Sequence, residues 1–392
     1  MNSLISSDNV LLVWMIVIVM TTFAIFAEQK FKWGAFIGSA VIAIFFSMIL
    51  CNLHITPTSS PVYTAIGAYV LPLSIPLLLF KCNVRKIIKE SGKEFIYFHI
   101  AAVGTVAAAF ICGFIWHSKE EIAGVAAMTS GAFVGGTVNL VAMGNVFNMD
   151  AQYINAVAVG ANILLGFLML LLSVAGNFKF FRSHFRHPYI DEFESGADKT
   201  KSMAAQYWKP KNISLLTLAM CLAATFVITG ISSVICTAVN ATDAPMIVKQ
   251  LFGNIYLIMT LITATVSTIF PDFFAKLEGA EELGNLAITI WFTTLGCAAT
   301  AKDVLAVGYV LVFMAIVIVI NFLVSMFFGH MAKGSYEEMA IASCATVGGP
   351  TTAAALAINK GWGDLIVPGI LVGLWGYIIG NYLGVVVGDF FL

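Results

Sequence analysis

Apolar runs near 9–26, 33–53, 62–80, 95–116, 120–143, 151–175, 213–238, 247–270, 283–299, 304–329, 337–357 and 364–390 alternate with polar links along the chain. Most approach the roughly 20 residues that an α-helix needs to cross hydrocarbon, so each is expected to be a span. The pattern predicts an all-α polytopic fold with about 11–13 transmembrane helices. One polar segment is long: "NFKFFRSHFRHPYIDEFESGADKTKSMAAQYWKPKN", residues 177–212. It divides the chain into an N-terminal part, 1–176, holding the first six runs, and a C-terminal part, 213–392, holding the last six.

Within this pattern two runs are interrupted by small residues. "SKEEIAGVAAMTSGAFVGGTVNLVA" (Ser118 to Ala142) parallels "SYEEMAIASCATVGGPTTAAALA" (Ser335 to Ala357). Both open Ser-x-Glu-Glu, pass through small residues, reach Gly-Gly and continue with Thr. Asp150 and Asp364 follow at nearly equal spacing, and Gly160 and Gly373 both sit 25 residues past the first glycine of the pair. A gap of four residues, about one helical turn, is needed upstream. The ordered matches indicate a duplication, with one broken helix near 131–139 and another near 346–352. Broken helices in corresponding positions of two halves point to a secondary transporter with a site at mid-membrane. Inverted repeats require an odd number of crossings between the breaks, and the runs count six. Parallel repeats, or a miscount of one between Ala151 and Glu337, are the two alternatives. Basic residues in "KCNVRKIIKESGK" (Lys81 to Lys93) and in the long link both favour the cytoplasm, yet three spans separate them, so orientation stays open.

Composition agrees with a membrane protein. Of 392 residues 60% are hydrophobic and 10% charged, against roughly 25% charged in soluble domains. Net charge is −1, so no basic field points to nucleic acid. The seven cysteines lie mostly in or beside apolar runs and never as CxxC, so they read as small buried hydrophobes. "MNSLISSDN" has no basic residue before Lys30, unlike a signal peptide, and the first run is expected to be a retained span.

Candidate chemistry centres on the breaks. Irregular backbone survives in a membrane where protein or a water-filled cavity covers it. Facing half-helix ends present N–H groups that favour anions and carbonyls that coordinate Na⁺. Gly135, Gly136, Thr137 and Asn139, with Gly348, Gly349, Thr351 and Thr352, are therefore the candidate substrate- or ion-binding residues. Glu281, Glu282 and Asn285, in "LEGAEELGNLAI", are candidate coupling residues, either facing the chamber or lying at the interface. Glu120, Glu121, Glu337 and Glu338 read as helix N-terminal charges. Lys302 and Asp303 mark a water boundary. The stripe Gly369, Gly373, Gly376, Gly380, Gly384, Gly388 reads as a close helix contact, and Asn162 and Asn381 as interhelical donors. No Walker motif, zinc motif or nucleophile elbow is present, so the protein is not expected to be an enzyme. No cofactor or metal centre is expected beyond Na⁺ as a coupling ion.

At "GAFVGGTVNLVA", "LEGAEELG" and "ATVGGPTTAAALAINKGWGDLIVPGILVGLWGYIIGNYLG" the chain resembles the DUF819 family of integral membrane proteins, over nearly its full length. That family is grouped with the cation:proton antiporter and anion transporter superfamily, which includes bile-acid-sodium-symporter-like and NhaA-like proteins. The resemblance implies inverted repeats with two crossed, discontinuous helices, and a core domain that moves against a panel. It departs from the NhaA-like pattern in lacking an intramembrane Asp pair.

The expected function is a secondary active transporter of the bacterial inner membrane. Its substrate is expected to be a small organic anion or amino-acid-like solute, moved by alternating access and coupled to Na⁺ or H⁺. The alternatives are a Na⁺/H⁺ antiporter using Glu281 or Glu282, and a non-transporting sensor or scaffold. The expected partners are the substrate or ion and the lipid bilayer, with a homodimer left open and no nucleic acid.

Overall fold

A computed structural model describes residues 3–31, 34, 38–194, 213–242, 252–298 and 308–392, with side chains undescribed at 192–194, 298 and 359. The expectations for most of the long link (195–212), for Lys302 and Asp303, and for the starts of the runs 33–53, 247–270 and 304–329 fall outside these residues.

Each apolar run holds a helix. The N-terminal part contains α1 (Val10–Lys30), α2 (Ser39–Asn52), α3 (Pro61–Leu79), short α4 (Val84–Glu90), α5 (Glu94–Ile115), α6 (Ile122–Val146) and α7 (Ala151–Ala175). Two short helices, α8 (Lys179–His184) and α9 (Pro188–Glu194), begin the link. The C-terminal part contains α10 (Leu215–Asn240), α11 (Ile255–Ile269), α12 (Pro271–Ala275), α13 (Ala280–Ala298), α14 (Tyr309–Met331), α15 (Tyr336–Lys360) and α16 (Ile366–Asp389).

Among the described residues nine helices are long and apolar enough to span a bilayer, fewer than the twelve expected. Helices α2 and α11 have 14 and 15 described residues, and α13 opens on the polar sequence Ala-Glu-Glu-Leu-Gly-Asn. The protein is an all-α polytopic membrane protein with about nine spanning helices.

Local chemistry sets several boundaries. Ser335 and Glu338 form a capping box at the start of α15: the Ser335 hydroxyl accepts from Glu338 N at 3.2 Å, and Glu338 Oε2 accepts from Ser335 N at 2.8 Å. Gly361 ends the same helix with φ 75°, the usual left-handed cap. In α3 the backbone widens to π geometry over Ile66–Val70, just ahead of Pro72 and Pro76. The proline rings withdraw two donors from the α-helical ladder there.

The long helices sort into two groups by contact. One group comprises α5, α6, α7, α14, α15 and α16; the other comprises α1, α2, α3, α10, α11 and α13. Within the first, α6 is 94% and α15 72% buried over its span, whereas α10 in the second group is 22% buried. The two interrupted helices thus form the centre, where lipid cannot reach their backbone. Buried asparagines tie the groups together. Asn155 on α7 donates to Leu295 O on α13 at 3.1 Å, and Asn381 on α16 donates to Thr260 Oγ1 on α11 at 3.1 Å. All seven cysteines are buried and none forms a disulfide.

Candidate functional site

Both central helices depart from helical geometry at their glycine pairs. In α6 Gly135 has φ −136°, ψ 16° and Gly136 has φ 71°, ψ −167°; in α15 Gly349 has φ 76°, ψ −168°. Gly136 and Gly349 therefore share one conformation, in a region that is essentially restricted to glycine. Pro350 then restarts α15, because its fixed φ and missing N–H suit the first position of a helix.

The surroundings also correspond. A β-carbon on Gly135 would collide with the Asn139 side chain, and one on Gly348 with Thr352 Oγ1. Each first glycine is thus roofed by the polar side chain four residues on. Thr352 Oγ1 donates to Gly349 O at 3.2 Å. Asn139 Nδ2 donates to Tyr377 O at 3.2 Å, while its fully buried Oδ1 has no partner among the described residues.

Helix α16 reaches both breaks through its glycine stripe. Gly373 abuts Gly349 and Pro350, Gly376 abuts the Val134 carbonyl, and Gly380 abuts Asn139 and Gly135 N. Larger residues at these positions would hold the backbones apart, so the stripe is the close contact its spacing predicts. Between Gly376 and Gly380 stands Tyr377. Its ring lies so near both breaks that a β-carbon on Gly136 or Gly349 would sit 3.4 or 3.2 Å from Tyr377 Cε1.

A cavity of about 130 Å³ opens beside this point, between the two helix groups. Pro350, Thr351 and Tyr377 line it from one group, and Lys81, Glu281 and Asn285 from the other. Lys81 Nζ donates to Glu281 Oε2 at 3.0 Å, a half-exposed ion pair joining the end of α3 to the start of α13. Such a pair contributes little to stability in water. Its two charges at the wall of a small cavity give polar handles of both signs.

The candidate residues therefore divide. Thr351, Glu281 and Asn285 meet in the cavity. Gly136 and Gly349 stand behind the Tyr377 ring, and Gly135, Asn139, Gly348 and Thr352 complete the breaks. Thr137 is half-buried and does not line the cavity, and Glu282 is exposed beside it. Of the N-terminal acids, Glu338 caps α15, whereas Glu337 is fully buried and accepts from Ile190 N at 3.0 Å. Glu121, ahead of α6, has its carboxyl raised above the usual range by burial first, then by Asp150 and Glu120. Asn381 bonds across helices as expected; Asn162 bonds its own helix at Ala158 O instead, at 2.9 Å.

Sequence reasoning missed Tyr377 and Lys81, and also a polar cluster behind the breaks. Asn321 Nδ2 donates to Ala101 O, Thr105 Oγ1 and Thr346 Oγ1 at 2.9–3.2 Å, and its Oδ1 accepts from Ser343 Oγ at 2.7 Å. Thr105 Oγ1 also contacts Phe133 O at 3.3 Å. The cluster pins α5 and α14 to the first halves of α6 and α15. Asn321, alone in the run "AIVIVINFLV", was its available signal.

Comparison with known proteins agrees with the membrane reading. The family model described as "Protein of unknown function (DUF819)" matches residues 15–392. Over 396 aligned positions the chain is 36% identical to the "Uncharacterized membrane protein YjcL" of Bacillus subtilis (strain 168), covering 100% of this chain and 99% of the relative. The protein is a multi-pass protein of the cell membrane.

Proposed function

The chain belongs to the DUF819 family, and from the geometry of its cavity we propose that it is a secondary active transporter. One observation carries this reading: the cavity lies between two helix groups, with a broken-helix residue, Thr351, on one wall and the Lys81–Glu281 pair on the other. A solute held there touches both groups, so relative movement of the groups would carry its opening from one side of the membrane to the other.

The substrate class follows from the walls. Lys81 and the half-helix N-terminus at Pro350–Thr351 favour a carboxylate, and Glu281 favours a cationic amine. A small organic anion or an amino-acid-like zwitterion of a few heavy atoms suits a cavity of about 130 Å³. Na⁺ or H⁺ is the proposed coupling ion, with the orphaned Asn139 Oδ1 as one hard acceptor near the breaks. The proposed architecture is a pair of inverted repeats whose discontinuous helices are α6 and α15; the matched conformations of Gly136 and Gly349 support the repeat, and its inversion rests on the family resemblance. The Na⁺/H⁺ antiporter reading is less well supported, because Glu281 is engaged by Lys81.

Uptake by purified protein in proteoliposomes tests the assignment. Thr351→Ala and Asn139→Ala are expected to abolish solute uptake while the protein still elutes as a folded species. Wild-type uptake by both variants would remove the site.

A further inference from the structure

Away from the cavity, the turn between α4 and α5 holds a buried carboxyl group that the transport reading does not use. Glu94 and Ser91 are each 2% exposed. They share one turn, with Glu94 N donating to Ser91 O at 3.1 Å. Among the described residues, both carboxylate oxygens of Glu94 and the hydroxyl oxygen of Ser91 lack any hydrogen-bond partner. An ionised carboxylate buried without a partner is strongly disfavoured, so it takes up a proton unless something supplies positive charge or a donor.

The neighbours do not. Tyr189, in the first part of the link, has its hydroxyl pushed up to about 12 by burial and then by the charges of Glu338, Glu94, Asp364 and Glu337. Glu338 is used in the α15 capping box. Glu337 accepts from Ile190 N and faces His187 Nδ1 at 3.8 Å. Arg186 is exposed and makes no ion pair with these acids among the described residues. Among the described residues Glu94 thus lies in an acidic setting with no protein counter-charge of its own.

We infer that Ser91 and Glu94 form a binding site for a single hard monovalent cation of the Na⁺ class. Carboxylate and hydroxyl oxygens are the ligands such ions prefer, at about 2.3–2.6 Å for an ion of Ca²⁺-like radius. Ser91 Oγ and the Glu94 oxygens do not hydrogen-bond to each other although they share a turn. Protonation would neutralise Glu94 but leave its new hydroxyl and Ser91 Oγ still without partners, whereas a cation held by both residues would satisfy them together. One uncompensated carboxylate matches one positive charge, which favours Na⁺ over a divalent ion. The site goes beyond the proposed transport cycle, because equilibrium cation binding needs no solute.

Equilibrium binding of ²²Na⁺ to the purified full-length protein, with choline holding ionic strength constant, tests it. Saturable binding is expected in the wild type. Glu94→Gln is expected to lose the saturable component and Ser91→Ala to weaken it several-fold, while Glu90→Gln on exposed α4 binds as the wild type does. Should Glu94→Gln fail to fold, the Na⁺-dependent rise in unfolding temperature of Ser91→Ala gives the same reading. Wild-type ²²Na⁺ binding by Glu94→Gln or by Ser91→Ala would overturn the site. So would absence of saturable binding in the wild type, including the case where Glu94→Gln alters only the pH dependence of stability, which would make Glu94 a proton carrier.

Discussion

Gly136 and Gly349 show what a single residue decides in this protein. With φ 71° and 76° and ψ near the extended value, their conformation is closed to a side chain whatever space surrounds it. Gly349→Ala is expected to cost on the order of 1–3 kcal/mol from backbone strain, read as a lower unfolding temperature in detergent. Glu121 sets a pH dependence at the same scale. Its carboxyl is raised in the folded state, so between the unfolded and folded values the native protein binds more protons than the unfolded chain. Stability from this group is full below the unfolded value, about 4.3, and falls as pH rises through the raised one. Glu121→Gln should flatten the fall in unfolding temperature expected of the wild type as pH rises from about 4 through the raised value. An unchanged pH profile would remove the group from the account.

For whole elements, packing rather than propensity governs. In lipid no hydrophobic force drives helices together, and close van der Waals contact takes its place. Helix α16 makes that contact through glycines, and a β-carbon on Gly376 would strike the Val134 carbonyl. Gly230 in α10 has nothing within 4 Å of its β-position. The same substitution should therefore act oppositely at the two sites. Gly376→Ala is expected to separate α16 from α6 and destabilise the fold sharply, whereas Gly230→Ala should be neutral or stabilising by up to about 1 kcal/mol. Thermal unfolding of the two variants side by side decides it. The six-glycine stripe was legible from its spacing alone. Its partner was not, since α16 is apolar on nearly every face and its sequence singles out no neighbour.

At the scale of the molecule the question is whether the two helix groups move past each other. Leu78 on α3 and Leu374 on α16 line the cavity from opposite groups. A Leu78→Cys and Leu374→Cys pair, bridged by a short bifunctional thiol reagent, is expected to stop uptake, with each single variant remaining active after the same treatment. Continued uptake by the bridged protein would mean that the groups need not move. The span count belongs to this scale as well. Hydropathy marked twelve runs, and nine described helices have the length and apolarity to cross. Helix α13, with Glu281 and Glu282 in its first turn, spends its polar end on the cavity and the surface.

Membrane class, helix positions and the two glycine breaks were written in the chain itself. Each depends on local properties: the length of an apolar run, and a backbone conformation that glycine alone adopts at low cost. Tertiary structure alone brought Tyr377 against both breaks, set Lys81 beside Glu281 from 200 residues away, and gathered Asn321, Thr105, Ser343 and Thr346 behind them. Those meetings depend on which faces of uniformly apolar helices touch. That choice is made by shape and by the need to satisfy buried polar groups, not by any periodicity along the sequence.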